Sequence, residues 1–173
     1  MFRGLVNLKY IDLSGNELQY LHPDTFLGLP NLQQLNLRFN PGLQIPADCN
    51  FFKSHSLSFL KIAGCDISSV SLETFANVSA LKLLVLSYTN LKTLGINVLR
   101  ALPKLSELYL GGNPLQCDCQ LQEVWRWCED RNISTGARYE PPYCHTPSEV
   151  KGMWWEVLEK GQCFEGNTKY YGD

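Results

Sequence analysis

Apolar positions recur along this chain in one motif, L-x-x-L-x-L-x-x-N-x-L, with polar residues between them. The first copy reads Leu8, Ile11, Leu13, Asn16, Leu18; the second reads Leu32, Leu35, Leu37, Asn40, with Leu43 following a Pro41-Gly42 insertion. The third is Leu57, Leu60, Ile62, Cys65, Ile67, the fourth Leu81, Leu84, Leu86, Thr89, Leu91, and the fifth Leu105, Leu108, Leu110, Asn113, Leu115. Copies begin at residues 8, 32, 57, 81 and 105, so the steps are 24, 25, 24 and 24 residues. Chance alternation of apolar residues does not hold such a register, and a period in this range signals a solenoid. The second half of each copy repeats as well. Phe26, Phe51, Phe75 and Leu99 stand six residues before the next copy, and Leu29, Val78 and Leu102 three before it, with Ser54 the exception. Phe2 and Leu5 hold the same places before Leu8. The chain thus enters midway through a repeat, and an exposed edge is expected at its first coil.

The central L-x-L of each copy predicts a short strand whose alternate side chains point inward. The chain then returns behind that strand and starts the next one beside it, which builds a parallel sheet. A lone coil cannot bury its leucines, whereas stacked coils share one core. Each fully buried leucine contributes roughly 1.5–3 kcal/mol to that core. The asparagine ends the strand and is suited to bond backbone groups of the bend in adjacent coils, which would otherwise be buried without partners. Cys65 and Thr89 take its place in two copies. Their smaller polar groups should bond less well and soften the solenoid locally.

These copies resemble the typical extracellular class of leucine-rich repeats, which includes Toll-like receptors, Slit proteins and the variable lymphocyte receptors of jawless fish. The resemblance runs from residue 2 to about residue 163. It implies an α/β fold: a right-handed horseshoe solenoid with a parallel sheet on its concave face, closed by a small disulfide-bonded C-terminal cap. The expected organisation is repeats over residues 1–112, the cap over 113–163 and a tail over 164–173.

The cap is expected where Asn113-Pro114-Leu115-Gln116-Cys117-Asp118-Cys119 follows the fifth copy, with Cys128, Cys144 and Cys163 beyond it. Leu121, Val124, Trp125 and Cys128 fall at helical spacing and predict a short helix whose apolar stripe covers the last coil. Pro141 and Pro142 bar its continuation. A second covering segment is expected around Val150, Trp154, Trp155, Val157 and Leu158. C-x-C with two later cysteines is similar to the C-terminal cap of the same class. That resemblance implies the pairs Cys117–Cys144 and Cys119–Cys163, each worth about 2–4 kcal/mol. Sequence alone allows three pairings of four cysteines. Four thiolates are also a zinc donor set, although zinc ligands usually come in C-x(2–4)-C pairs and only one close pair stands here. Of the other cysteines, Cys65 at the ladder position and Cys128 on the helical stripe are expected to be packed thiols. Cys49 falls in a convex loop, and its state is open.

Composition narrows the functions. The formal charge of −2 offers no basic patch for nucleic acid. No stretch approaches the roughly 20 apolar residues of a membrane-spanning helix, so a membrane is expected only through segments outside this chain. The N-terminal residues lack the apolar core of a secretory signal. Seven cysteines are many for a cytosolic domain, and the sequons at Asn77 and Asn132 point the same way, to a secreted protein or the extracellular side of the plasma membrane. His22, His55 and His145 are too far apart in the register to share a metal, and Gly111-Gly112-Asn113 is a turn, not a phosphate loop. No cofactor, no metal and no catalytic residues are expected. The one enzymatic reading would use Cys49 or Cys128.

The candidate site is the concave face. Residues between the inward leucines form rows across the strands: Tyr10, Gln34, Phe59, Leu83, Glu107; then Asp12, Asn36, Lys61, Val85, Tyr109; then Ser14, Arg38, Ala63, Ser87, Gly111. Phe59, Leu83, Val85 and Tyr109 are expected to adjoin as an apolar patch rimmed by Arg38, Lys61 and Glu107, with Tyr10 beside it. Such a patch suits a protein ligand or co-receptor, and aromatic residues are common anchors. Asn77 falls on the convex side by register, so a glycan there would leave this face open. The alternative is a secreted structural or matrix protein that associates with itself.

Overall fold

A computed structural model describes residues 2, 4–136 and 140–159. Five short strands, β1 (Tyr10–Asp12), β2 (Gln34–Asn36), β3 (Phe59–Lys61), β4 (Leu83–Val85) and β5 (Glu107–Tyr109), form one parallel sheet in chain order. Their register aligns Ile11, Leu35, Leu60, Leu84 and Leu108 across the sheet. The next inward residues continue it. The N–H groups of Leu13, Leu37, Ile62 and Leu86 donate to the carbonyls of Asn36, Lys61, Val85 and Tyr109 on the following coil, at 2.8–3.0 Å. The predicted parallel-coil solenoid is therefore the observed one.

Behind the strands, the return segments fill the core with the residues of the second half-repeat. Phe26, Phe51, Phe75 and Leu99 are all buried. They ride on tight turns, on a single 3-10 turn at Glu73–Phe75 and on one short α-helix, α1 (Ile96–Arg100). Ser54, the exception in the column of Leu29, Val78 and Leu102, is buried too, and so is Phe52, which the repeat pattern does not single out. Its ring stacks on Phe75 at 6.0 Å and meets Phe51 edge-on at 5.0 Å. The extra residue of the Pro41-Gly42 insertion is absorbed by a turn in which Leu43 N–H donates to the Asn40 carbonyl.

The asparagine ladder forms where the chain leaves each strand. Asn113 Nδ2 donates to the carbonyls of Leu110 in its own coil and Leu86 in the coil before, at 2.9 and 2.7 Å. Its Oδ1 accepts from the N–H groups of Thr89 and Leu91 and from the Thr89 hydroxyl. Asn40 repeats this arrangement toward Leu37, Leu13 and Leu18. The substitutes do less. Cys65 Sγ donates to the Leu37 carbonyl and meets the Asn40 backbone, both in the coil before, whereas Thr89 Oγ1 bonds the Leu86 carbonyl of its own coil and Asn113. Asn16, in the first coil, is exposed and bonds only within its own turn.

The cap begins with β6 (Leu115–Gln116), pairs in parallel with β7 (Cys144–Thr146), and is tied by the Cys117–Cys144 disulfide. With those two sulfurs bonded to each other, the zinc alternative lacks half its thiolates. Cys163 lies outside the described residues, and so does the expected Cys119–Cys163 bridge. Helix α2 (Cys119–Asp130) starts at Asp118, whose carboxylate accepts from the N–H groups of Gln120 and Leu121 and so satisfies donors left free at a helix start. Leu121, Val124, Trp125 and Cys128 are buried against the last coil, together with Trp127. Arg131 lies over the Trp127 ring, 4.7 Å from its centroid. Of the second covering segment, Val150, Trp155 and Leu158 are buried and Val157 half-buried. Trp154 departs from expectation: it is 46% exposed and meets Tyr143 edge-on at the surface. It lies one residue from Trp155 in an antiparallel bridge to Tyr143, so consecutive side chains face opposite sides. No described helix is long and apolar enough to cross a membrane.

Candidate functional site

Strand register places the outward rows side by side as the repeat predicts: Tyr10, Gln34, Phe59, Leu83 and Glu107 in one, Asp12, Asn36, Lys61, Val85 and Tyr109 in the next. Their accessibility is uneven. Tyr10 and Gln34 are exposed, and Phe59, Lys61 and Arg38 are half-buried. Leu83 is 8% exposed, so it forms floor between its neighbours instead of open surface. Val85, Glu107 and Tyr109 are half-buried.

The cap accounts for part of this closure. Ser134 pairs alongside β5: Leu108 N–H donates to its carbonyl, and its own N–H donates to the Ser106 carbonyl. Gly136 and Glu140 lie against the last strand and its exit turn. A β-carbon at Gly136 would lie 2.1 Å from the Tyr109 ring, and one at Gly111 would lie 2.2 Å from the Glu140 carbonyl oxygen. Both glycines are needed for that approach. Tyr109 is thus packed under the cap, with its hydroxyl donating to Glu107. The apolar patch expected from Phe59 to Tyr109 is consequently narrower, because sequence register cannot show what a later loop covers.

At the other end, Tyr10, Gln34, Leu35, Asn36, Phe59 and Lys61 line a shallow depression of about 190 Å³. Its polar rim is tightly organised. Asp12 accepts from the Tyr10 hydroxyl at 2.7 Å, from Ser14 Oγ at 2.6 Å, from the Ser14 N–H and from Asn36 Nδ2. The Ser14 hydroxyl, followed by the Ser14 N–H and Tyr10, holds the Asp12 carboxyl well below the usual carboxylate range. In return, the hydrogen bond to Asp12 raises the Tyr10 phenol. Arg38 Nε donates to Asn36 Oδ1 at 3.1 Å. Among the described residues, neither Arg38 nor Lys61 has a carboxylate within ion-pair distance.

A fourth row lies one residue beyond the third. Residues 15, 39, 64, 88 and 112 occupy one register position just past each strand, as Gly15, Phe39, Gly64, Tyr88 and Gly112. All five have positive φ: +65, +58, +71, +55 and +71°. Glycine accepts this backbone freely, whereas a bulky side chain there costs about 1–2 kcal/mol. Phe39 and Tyr88 are nevertheless 60% and 55% exposed. Each ring leans on the glycine of the next coil. A β-carbon would meet the Phe39 ring at 3.1 Å from Gly64 and the Tyr88 ring at 2.2 Å from Gly112. The Arg38 guanidinium sits 5.7 Å from the centroid of the Phe39 ring. The alternation of glycine and aromatic at one repeat position was legible, had the register been extended one residue beyond the third row.

The remaining sites lie elsewhere. Asn77 is half-exposed on the return segment behind the sheet, and Asn132 is exposed just beyond α2. Burial raises the Cys65 thiol, and burial with the nearby Glu129 pushes Cys128 up to about 12. Neither offers a thiolate near neutral pH. Cys49 is half-buried against the core, its thiol 3.7 Å from the Pro46 carbonyl. No group of three or more His, Cys, Asp or Glu among the described residues is placed to hold a metal.

Parallel coils of 24–25 residues, a buried asparagine ladder and a disulfide-tied cap define a repeat scaffold whose outward strand residues are free to vary. The chain belongs to the leucine rich repeat family, which residues 1–41 and 55–115 match. It is similar to mouse nephrocan, with 27% identity over 92% of this chain and 30% of nephrocan. It is similar to mouse CD180 antigen at 27% identity, over 88% of this chain and 27% of that protein. Human Toll-like receptor 8 is 30% identical over 97% of this chain and 19% of the receptor. The chain spans between about a fifth and a third of the length of these relatives.

Proposed function

We propose that this chain is the protein-binding module of an extracellular receptor or adhesion protein, and that it engages its partner on the concave face over β1 to β4. The observation that carries this reading is the depression bounded by Tyr10, Gln34, Phe59 and Lys61, beside cations that have no carboxylate partner among the described residues. The scaffold around it is anchored from behind, since the outward rows stand on either side of Ile11, Leu35, Leu60 and Leu84, which are buried in the core. Recognition is reversible contact, with the polar network around Asp12 holding the rim in one arrangement before a partner arrives. Preorganisation of this kind lowers the entropy lost on binding. A disulfide, two sequons and the receptor names among the relatives favour the extracellular setting. Glycans at Asn77 would project from the return side.

The test is capture of proteins from extracellular fluid by the immobilised wild-type chain and by Phe59→Ala/Lys61→Glu. The double variant is expected to recover at least tenfold less of any specifically bound protein, with an unchanged unfolding midpoint. Equal recovery would reject the concave face. A second reading, self-association in a matrix, is favoured by Leu5 and Val6, each 50% exposed beside β1. Sedimentation of the chain across a concentration series separates it from the first.

A further inference from the structure

We propose that Phe39 and Tyr88 are the main contact residues of this face, and that they take an apolar-tipped loop of a protein partner whose carboxylates meet Arg38 and Lys61. The proposal rests on the concave-face reading above and sharpens it.

The first argument is conformational. At the shared register position, three coils use glycine and two use an aromatic residue, with nearly the same backbone angles. The backbone work is the same in each case. Gly15 donates to the Arg38 carbonyl, Phe39 to Ala63, Gly64 to Ser87 and Tyr88 to Gly111, all at 2.9–3.0 Å. Glycine therefore suffices for the fold at this position. Two bulky side chains are held in a backbone region that disfavours them, and both remain more than half exposed. Strain with no matching burial is found where a side chain serves something outside the fold.

The second argument is charge. Asp12 is saturated by four hydrogen bonds, and Glu107 receives the Tyr109 hydroxyl. Among the described residues, the cations of the face without an opposite partner are Arg38, against the Phe39 ring, and Lys61, in the coil between Phe39 and Tyr88. Two such cations match one or two carboxylates. They are too few for a nucleic acid or another polyanion, which engages on the order of six to ten phosphates. Tyr and Arg are among the residues enriched at protein-contact hot spots, and Phe among those enriched at interface cores.

The probe is a displayed library of random cyclic peptides, selected on the whole wild-type chain. Affinities of the enriched peptides are then measured for wild type, Phe39→Gly/Tyr88→Gly and Phe59→Ala/Lys61→Glu. The expected consensus carries Asp or Glu beside Leu, Phe or Trp. Phe39→Gly/Tyr88→Gly is expected to weaken binding at least tenfold while its unfolding midpoint stays level or rises. Phe39→Asn/Tyr88→Asn, also suited to this backbone, should weaken binding equally. Peptides that bind both of these variants as tightly as wild type, yet lose affinity for Phe59→Ala/Lys61→Glu, would overturn the inference and leave the concave-face reading intact. Peptides insensitive to every variant would overturn both. A basic or uncharged consensus would overturn the assignment of an acidic partner.

Discussion

Asn113→Ala lowers the free energy of unfolding by about 4 kcal/mol, whereas Asn16→Ala, the same motif position in the first coil, changes it by less than about 0.5 kcal/mol. The difference follows from burial. Asn113 is buried and serves four backbone groups, the carbonyls of Leu86 and Leu110 and the N–H groups of Thr89 and Leu91. Alanine leaves all four without that partner inside the core, and each stranded group costs about 1–3 kcal/mol less whatever water the relaxed site admits. Asn16 is exposed and bonds Leu13 and Ser14 carbonyls that water reaches. Urea unfolding of the two variants beside wild type measures the contrast. Equal losses would mean that the ladder is not what holds the exit turns.

Opening the cap has the second large effect. Cys117→Ala/Cys144→Ala removes a bridge across a sequence separation of 27 residues. Loop-closure entropy for a ring of this size predicts a loss of about 3–4 kcal/mol. That loss should fall first on the cap, because β6 and β7 are short and α2 rests on the last coil through one apolar face. The four tryptophans, 125, 127, 154 and 155, all lie in the cap. Their fluorescence therefore reports cap opening, and circular dichroism reports the solenoid as well. In the variant, the fluorescence transition is expected at lower urea than the dichroism transition. Coincident transitions at the wild-type midpoint would show that the bridge adds nothing.

Much of this molecule was legible because the repeat couples local and global order. A one-residue error in register would turn every leucine from core to surface, so five copies in step leave one arrangement. Ile11, Leu35, Leu60, Leu84 and Leu108 align as the motif requires, and the α2 stripe buries Leu121, Val124, Trp125 and Cys128. What the motif does not repeat was harder to read. Phe52 joins the core between Phe51 and Phe75, a packing visible only in three dimensions. Trp154 is indistinguishable from the buried Trp155 by composition, yet alternation along an extended segment turns it outward. The site was legible in its rows and not in its coverage. Nothing local to Leu83 or Tyr109 shows that neighbours and the cap close over them. Phe39 and Tyr88 are silent in the sequence for a different reason: they stand at a position whose meaning lies in the backbone, which the hydrophobic pattern does not encode.

Hydrogen exchange of the native chain tests the central claim, that the copies form one continuous solenoid presenting its outward rows on a single sheet. The amides of Leu37, Ile62 and Leu86 donate from one coil to the next. They are expected to exchange slowest and with a common opening free energy, since each depends on both neighbouring coils. Exchange of any of the three at the rate of the exposed Gly28 loop would contradict it.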